Sequence, residues 1–287
     1  MNCPLCDSDE SERAWLGRTV YRAKVFEYRG CASCGSMYVS PMPDEDDLAQ
    51  MYGEDYGQFL DVETAHSGND GSRRVLGHLA TLKPGNFLDY GCGAGSLLRA
   101  VSELGWKCFG VDFDRSNTTR IREKQEIEVA GDLSDIDGAI HFDVVHFGDV
   151  LEHLTDVNTQ IPPILARLST GGAMIAQGPL EANANLFLYG LRLKRLLRPT
   201  DSTMPPYHVS LATARGQRAF FERFGLAEAE FSVFETAHPA PENLTPVELK
   251  SPRLTALWGM RAVSQAVSRV SPRMMGNRYF YIGHKRG

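Results

Sequence analysis

Residues 87–98 read FLDYGCGAGSLL, an apolar run that passes through three alternating glycines into a second apolar run. The first run is typical of a buried strand and the second of a helix. A glycine-rich turn between a strand and a helix lets a ligand approach the backbone closely, because glycine has no Cβ. The stretch therefore predicts a nucleotide-type site at the carboxyl edge of a sheet.

The spacing of the glycines narrows the choice of ligand. A Walker phosphate loop needs Gly-Lys-Ser/Thr, which does not follow here. A dinucleotide fingerprint has glycine where Ser96 stands, and Asp89, two residues before Gly91, is a poor neighbour for a pyrophosphate on a helix N-terminus. Asp89 instead suits a ligand that brings an ammonium group, such as the methionine part of S-adenosylmethionine.

Acidic residues at successive strand ends extend this site. Asp112 lies 21 residues after Gly91, where a carboxylate accepts hydrogen bonds from both ribose hydroxyls. Beside it, Phe113 offers a face to adenine. Asp132 follows the next strand and accepts from the adenine amino group, with Leu133 as a wall for the ring. The alternative is that each aspartate is only a turn former or an N-cap, but three of them in series at strand ends favour the site.

Strand and helix patterns alternate around this motif. After the strand at 87–90, further strand patterns occur in WKCFGVDFD, IEVAGD, FDVVHFGD, GAMIAQGP, AEFSVFET and RYFYIGHKR, with a helix pattern in RSNTTRIREKQ and another in LATARGQRAFFERFG. Strands separated by helices predict right-handed βαβ units and a largely parallel sheet. Residues 180–210 interrupt this alternation of strands and helices, which predicts an insertion in the domain.

Four of the six cysteines form two Cys-x-x-Cys pairs, CPLC and CASC. Such pairs present four thiolates to one tetrahedral Zn²⁺ and leave no open position for water, so the ion is structural. Redox or disulfide pairs are the alternative, which a reducing compartment and a segment too short for its own core make less favourable. The predicted ligands are Cys3, Cys6, Cys31 and Cys34, with YRAKVFEYRG as a hairpin strand between the pairs.

Charge is divided unevenly along the chain. Residues 1–189 carry 15 Lys and Arg against 29 Asp and Glu, whereas residues 190–287 carry 15 against 7. The N-terminus has neither the basic nor the apolar region of a signal peptide, and no apolar stretch is long enough for a transmembrane helix. We therefore expect a cytoplasmic protein.

The motifs together resemble the class I S-adenosylmethionine-dependent methyltransferases, of the bacterial type with an N-terminal zinc ribbon. The matching stretches are CPLC, CASCGSMYVSPMP, MYGEDY, LDYGCGAG, GVDFD, GDLSD, FDVVHFGDVLEHLTD and PPYHVSLATARGQRAFFERFG. The resemblance implies an α/β fold, a Rossmann-like seven-stranded sheet with helices on both faces. It also implies a zinc ribbon at 1–40, a helical connector at 41–84 and a methyltransferase domain at 85–287 with an acceptor-side insertion at 180–210.

The resemblance also implies a set of site residues. The expected base is His208, which lies after the insertion where relatives bring a histidine towards the acceptor; His153, which follows the fourth strand, is the second candidate. The other histidines are expected to be structural. The expected contacts to S-adenosylmethionine are Asp89, Gly91, Cys92, Gly93, Gly95, Asp112, Phe113, Asp132, Leu133, Phe147 and Gly148.

The implied function is methyl transfer from S-adenosylmethionine to a small-molecule, sugar or glycan acceptor, with O-methylation favoured over C-methylation. An oxygen acceptor benefits from a general base, and a carbon acceptor needs one. One alternative is an RNA methyltransferase that uses the ribbon to contact nucleic acid, although residues 1–40 are not basic overall. Another is a non-catalytic protein that keeps the cofactor fold for binding.

Two segments mix basic and apolar residues, NLFLYGLRLKRLLRPT and residues 253–274. They are expected to be amphipathic packing helices with solvated basic faces. The alternative is a lid for an anionic or lipid-linked acceptor, with at most peripheral contact to a membrane.

Overall fold

A computed structural model describes residues 1–53, 71–114, 121, 127–197, 201–202, 204–236 and 252–286. These residues form two compact units, which are considered separately. The first comprises residues 1–67, 179–219 and 232–279, and the second comprises residues 68–178, 220–231 and 280–287.

The strands and helices are as follows. The strands are β1 (Ser11–Tyr21), β2 (Lys24–Cys31), β3 (Met37–Ser40), β4 (Asn86–Tyr90), β5 (Lys107–Val111), β6 (Glu128–Ala130), β7 (Phe142–Gly148), β8 (Leu168–Pro179), β9 (Ser210–Leu211), β10 (Leu226–Phe234) and β11 (Arg278–Lys285). The helices are α1 (Glu45–Gly53), α2 (Ser96–Ser102), α3 (Val157–Ala166), α4 (Leu186–Leu197), α5 (Ala214–Arg223), α6 (Pro252–Val270) and α7 (Pro272–Met275). Residues 71–79 are also helical.

The first unit is built on a four-stranded sheet in the order β1-β2-β3-β9. Strands β1 and β2 form an antiparallel hairpin whose turn has positive φ at Arg22 and Ala23. A small core of Phe26, Val39 and Met51 packs beneath the sheet. The hairpin strand predicted at YRAKVFEYRG corresponds to β2, whereas its partner β1, which ends at Tyr21, was not predicted.

The second unit carries most of a seven-stranded sheet in the order β10-β11-β8-β7-β4-β5-β6. Strand β4 runs parallel to β5 and β7, and the β5–β6 and β7–β8 pairs are also parallel. The central strands read as continuous apolar runs because helices cover both faces of such a sheet. This confirms the predicted fold class and places the carboxyl end of β4, with its glycine turn, at the middle of one sheet edge.

One helix of the sheet domain has no counterpart in the sequence prediction. Helix α3 contains Pro162 and Pro163, which normally argue against a helix, but both prolines are exposed. Asp156 caps its first turn by accepting hydrogen bonds from the N–H groups of Asn158 and Thr159. The helix predicted in RSNTTRIREKQ lies outside the described residues.

Candidate functional site

The glycine turn after β4 combines a packed position with an open one. Gly91 has φ 81° and donates its N–H to the carbonyl of Val111 at 2.7 Å, and a Cβ at Gly91 would clash with Val150. Gly93 has φ 49°, and a Cβ there would meet no atom within 4 Å. Gly91 is therefore required by the fold, whereas Gly93 leaves room for a ligand to approach the backbone.

Asp112 lies directly against this turn. Its carboxylate is 7% exposed, with Oδ2 accepting from the N–H of Gly93 at 2.7 Å and Oδ1 accepting from the N–H of Asp114 at 2.9 Å. These bonds fix the orientation of the carboxylate. The structure thus brings together the predicted loop and the predicted ribose acceptor, and the residues present fit an adenosine-type ligand.

Asp89 has a buried partner that the sequence analysis did not anticipate. Nδ1 of His146 lies 2.7 Å from Asp89 Oδ1, and both side chains are almost fully buried. A carboxylate only accepts, so Nδ1 carries the proton. The phenyl ring of Phe87 stacks on the imidazole with ring centroids 6.2 Å apart. Asp89 and His146 are paired residues of the adjacent parallel strands β4 and β7, a register that the local sequence does not show.

Gly148 is needed by this pair. A Cβ at Gly148 would lie 2.7 Å from Cε1 of His146. Within the described part of the chain, Nε2 of His146 is buried and has no hydrogen-bond partner. The role predicted for Asp89, as acceptor for a ligand ammonium group, stays a prediction.

The residues predicted to surround adenine lie at the ends of β5 and β6. The Phe113 side chain is 63% exposed, and Leu133 is buried. Asp132 caps a short 3₁₀ helix at Leu133–Asp135, accepting from the Ser134 hydroxyl at 2.6 Å and from its N–H at 2.8 Å. These bonds lower the pKa of Asp132. The N-cap alternative therefore holds for Asp132 in this structure, and its contact to adenine remains a prediction.

The remaining predicted residues of this unit have mixed environments. Phe147 is fully buried, with its ring centroid 5.4 Å from that of Tyr90. Cys92 is also buried, and burial raises the pKa of its thiol. Gly95 is the N-cap of α2. His153 ends a 3₁₀ helix at Leu151–His153 and is half-buried.

A cavity of about 400 Å³ lies within the first unit and is lined in part by His208. Nδ1 of His208 is 2.7 Å from Oε2 of Glu181, so the carboxylate holds the histidine in the tautomer with its proton on Nδ1. Apolar side chains form much of the remaining wall: Trp15, Leu16, Met37, Leu180, Phe187, Leu188, Leu191 and Leu211. The cavity thus offers an oriented imidazole beside an apolar surface.

Two carboxyl groups in the cavity wall have opposite pKa shifts. Burial would raise the pKa of Glu181, but the charge and hydrogen bond of His208 and the charge of Arg278 lower it on balance. Burial raises the pKa of Glu235 to about 7, against the lowering effect of Asn277, Arg269 and Arg261. Glu181 is therefore ionised at neutral pH, while Glu235 is close to half-protonated.

The four N-terminal cysteines converge in the first unit. Their sulfur atoms all lie within 4.8 Å of one another, with Cys3 Sγ 3.8 Å from Cys34 Sγ and Cys6 Sγ 3.5 Å from Cys31 Sγ. These separations are too long for disulfides and match the edges of a tetrahedron of thiolates around Zn²⁺. A hydrogen bond from Cys3 lowers the pKa of the Cys34 thiol.

Residues distant in sequence pack against the second cysteine pair. Thr213 donates its hydroxyl to the carbonyl of Cys34 at 2.7 Å, and Arg215 Nε donates to the same carbonyl at 3.3 Å. Strand β9 pairs with β3 next to this contact. The ribbon is therefore continuous with the segment that carries His208.

A profile of the methyltransferase domain family matches residues 70–230. This range covers the glycine turn, the Asp112 carboxylate and the strands that position them. The chain belongs to the methyltransferase domain family.

Curated relatives share this methyltransferase domain. The ubiquinone biosynthesis O-methyltransferase of Nitrobacter winogradskyi is 33% identical over 128 residues, covering 42% of this chain and 48% of that protein. The protein of the same name from Coxiella burnetii is 27% identical over 150 residues, covering 50% of this chain and 62% of that protein. The chain thus spans roughly half to three fifths of the length of these relatives.

Solved structures confirm the fold of the methyltransferase domain. A chain from the complex between the Haloferax volcanii Trm112 methyltransferase activator and a methyltransferase superposes with a TM-score of 0.57 at 18% identity, covering 85% of this chain and 99% of that one. Haemonchus contortus phospholethanolamine N-methyltransferase 2, solved with phosphomonomethylethanolamine and S-adenosylhomocysteine, superposes with a TM-score of 0.53 at 16% identity. That match covers 88% of this chain and 63% of the worm enzyme.

Proposed function

We propose that the protein transfers a methyl group from S-adenosylmethionine to an oxygen atom of a small-molecule acceptor. The observation that carries the proposal is the Gly93–Asp112 contact at the carboxyl edge of a methyltransferase-domain sheet. A backbone with an open position and an oriented carboxylate is what an adenosine ligand needs. When bound, S-adenosylmethionine supplies a methyl group already activated by the sulfonium, so the protein has mainly to align the acceptor and exclude water.

The remaining residues have proposed roles in holding the cofactor. Asp112 accepts from the ribose hydroxyls, Phe113 covers adenine, and the backbone around Gly93 lies against the nucleoside. The Asp89 carboxylate attracts the ammonium group of the methionine part of the ligand. Its pairing with His146 fixes the orientation of the carboxylate.

His208 is the proposed base. Its Nδ1 proton is held by Glu181 at 2.7 Å, so in this tautomer Nε2 is the basic nitrogen proposed to take a proton from an acceptor hydroxyl. His208 lines the cavity, whose apolar wall suits an acceptor with an apolar body and a polar reacting group. His153 is the second candidate for the same role.

The names of the relatives favour small-molecule O-methylation over the RNA and non-catalytic alternatives. A sugar, glycan, anionic or lipid-linked acceptor is the finer part of the proposal, and the arginines of the cavity wall, Arg261 and Arg278, support an acceptor with some negative charge. We also propose one structural Zn²⁺ on Cys3, Cys6, Cys31 and Cys34, supported by the convergence of the four sulfurs.

The function is tested by incubating the purified protein with S-adenosylmethionine and a panel of phenols, sugars and nucleotide sugars. Mass spectrometry should detect S-adenosylhomocysteine together with an acceptor heavier by one methyl group. The His208→Ala variant should form both products much more slowly than the wild type. A matched control is His284→Ala, because His284 is an exposed histidine of β11 outside the cavity. Turnover on none of these acceptors, with RNA methylated instead, would contradict the proposal.

A further inference from the structure

Helix α6 has its polar and apolar residues on the unexpected sides. Ser264 and Ser268 are 3% and 1% exposed, whereas Val263 and Val270 are 61% and 87% exposed. A surface helix of a globular protein normally buries its aliphatic side chains and exposes its serines. The outward face of α6 is therefore suited to contact with something other than water.

The exposed apolar residues of α6 form a stripe. Met260, Val263, Val267 and Val270 follow one another at intervals of three, four and three residues, which places them on one helix face. Helix α4 has a second stripe with the same intervals, made of Leu186, Tyr189, Leu193 and Leu196, with Leu197 beside it.

The two helices pack side by side and run antiparallel. The N–H of Phe187 donates to the hydroxyl of Ser264 at 3.0 Å, and a Cβ at Gly190 would lie 3.1 Å from Sδ of Met260. In this register both stripes face the same side of the helix pair. They form one surface, called here the α4–α6 surface: Leu186, Tyr189, Leu193, Leu196, Leu197, Met260, Val263, Val267 and Val270.

The charged residues of α4, α6 and α7 are all Lys or Arg. Arg192 and Lys194 are exposed on α4, and Arg269 is exposed on α6 with Arg273 following on α7. The sequence has no aspartate or glutamate in residues 186–197 or 252–275, although the chain as a whole has a net charge of −6. An apolar face bordered by Lys and Arg matches the boundary between acyl chains and anionic headgroups.

A second copy of the chain is a poor fit for this surface. Two copies meeting through the same patch would bring the arginines and lysines of one close to those of the other. We propose that the α4–α6 surface docks the protein on an anionic lipid bilayer. None of the described helices is both long and apolar enough to cross a membrane.

Docking would bring the cavity close to the lipid. Phe187, Leu188 and Leu191 of α4 line the cavity, while Leu193 and Leu196 on the same helix belong to the α4–α6 surface. A molecule partly dissolved in the bilayer could then reach the cavity without crossing much water. The docking itself does not depend on the proposed methyl transfer.

The test is sedimentation of the full chain with vesicles of phosphatidylcholine, with or without phosphatidylglycerol. We expect partition onto the anionic vesicles that weakens as salt is added. Leu193→Ser combined with Val263→Ser should reduce partition at least about tenfold, since both side chains would otherwise leave water. Arg192→Gln with Lys194→Gln should reduce it roughly 10- to 30-fold, at about 1 kcal/mol for each charge.

Matched controls use exposed residues elsewhere in the chain. Leu82→Ser with Leu104→Ser removes two exposed leucines, and Lys83→Gln with Arg99→Gln removes two exposed cations. Both controls should partition like the wild type, and melting curves should show every variant folded. Equal partition of the wild type and the α4–α6 variants would overturn the proposal. A second result would also overturn it. In that result the wild type does not bind vesicles, light scattering shows it to be a dimer, and Val263→Ser converts the dimer to a monomer.

Discussion

The Glu181–His208 pair is the residue-scale feature on which the proposed chemistry depends. His208 is the proposed acceptor of the substrate proton, so His208→Ala should lower kcat by roughly 10²–10⁴-fold. Affinity for S-adenosylmethionine should change little, because its proposed contacts come from β4, β5 and β6. Steady-state kinetics and calorimetry on the same preparation measure the two quantities.

Glu181→Gln gives a related test of positioning. A glutamine can still accept the Nδ1 proton of His208 but has no charge to stabilise the protonated imidazole, so kcat should fall less than in His208→Ala. The rise of kcat with pH should also move to lower pH, because the imidazole loses its anionic neighbour. An unchanged pH profile would mean that His208 does not titrate in the rate-limiting step.

Glu235 should make the stability of the protein depend on pH. Its pKa is about 7 in the folded protein and close to the ordinary 4.5 in the unfolded chain. The stability that comes from burying the neutral acid is fully present below the ordinary pKa and is lost as pH rises through about 7.

Glu235→Gln should therefore be more stable than the wild type at pH above 8, by about 1–3 kcal/mol, and nearly equal to it at acidic pH. Urea unfolding at both pH values measures the difference. The same pH slope in both proteins would show that Glu235 is not buried as described.

At the scale of elements, the cysteine ribbon is the part whose stability should depend on metal. Cys34 in its second knuckle accepts a hydrogen bond from Thr213, between β9 and α5, and the core cluster beneath the ribbon sheet is small. Cys31→Ser should release the metal and lower the melting temperature of the first unit. Calorimetric binding of S-adenosylmethionine should persist, because the glycine turn lies in the other unit.

Elemental analysis of protein purified without added metal measures the stoichiometry, with one zinc per chain expected for the wild type. Cys108→Ser is a suitable control, since Cys108 is a buried cysteine of β5 distant from the ribbon in sequence. A wild-type protein that contains no zinc, and whose stability matches that of Cys31→Ser, would refute the structural role.

Elements with strong local patterns were predictable from the sequence. The strands β4, β5, β6 and β7 are mostly apolar runs that end at or directly before a glycine or aspartate, and the sequence placed them correctly. Helix α3 was missed because its two prolines outweighed the signal of Asp156 and of buried residues at Val157, Ile161 and Ile164. Both prolines lie on the exposed face of the helix, away from the buried residues Val157, Ile161 and Ile164.

Side-chain partners across strands were harder to predict. The pairing of His146 with Asp89 depends on the register of β4 and β7, which no local pattern contains. In the same way, the sequence showed that residues 186–197 and 253–274 mix basic and apolar residues but could not show which face is exposed. The inverted amphipathicity of α6 became visible only with the burial of Ser264 and Ser268.

At the scale of the whole molecule, the sequence predicted a methyltransferase sheet, and the family match and the strand order confirm it. The grouping of residues 179–219 and 232–279 with the N-terminal ribbon involves contacts between segments far apart in sequence, which local patterns do not contain. The predicted boundaries at residues 40 and 84 stay predictions. If the α4–α6 surface binds anionic lipid, the excess of Lys and Arg in residues 190–287 contributes to the attraction between the protein and the headgroups.

The central claim is that the glycine turn and Asp112 hold S-adenosylmethionine, and a calorimetric titration tests it most directly. Wild-type protein should bind S-adenosylmethionine and S-adenosylhomocysteine in the micromolar range, and Asp112→Ala should weaken both by about tenfold or more, since two ribose hydroxyls lose a charged acceptor. Asp135→Asn, at a nearby exposed aspartate, should leave the affinity unchanged. No heat from either nucleoside, or tight binding of NAD instead, would contradict the account.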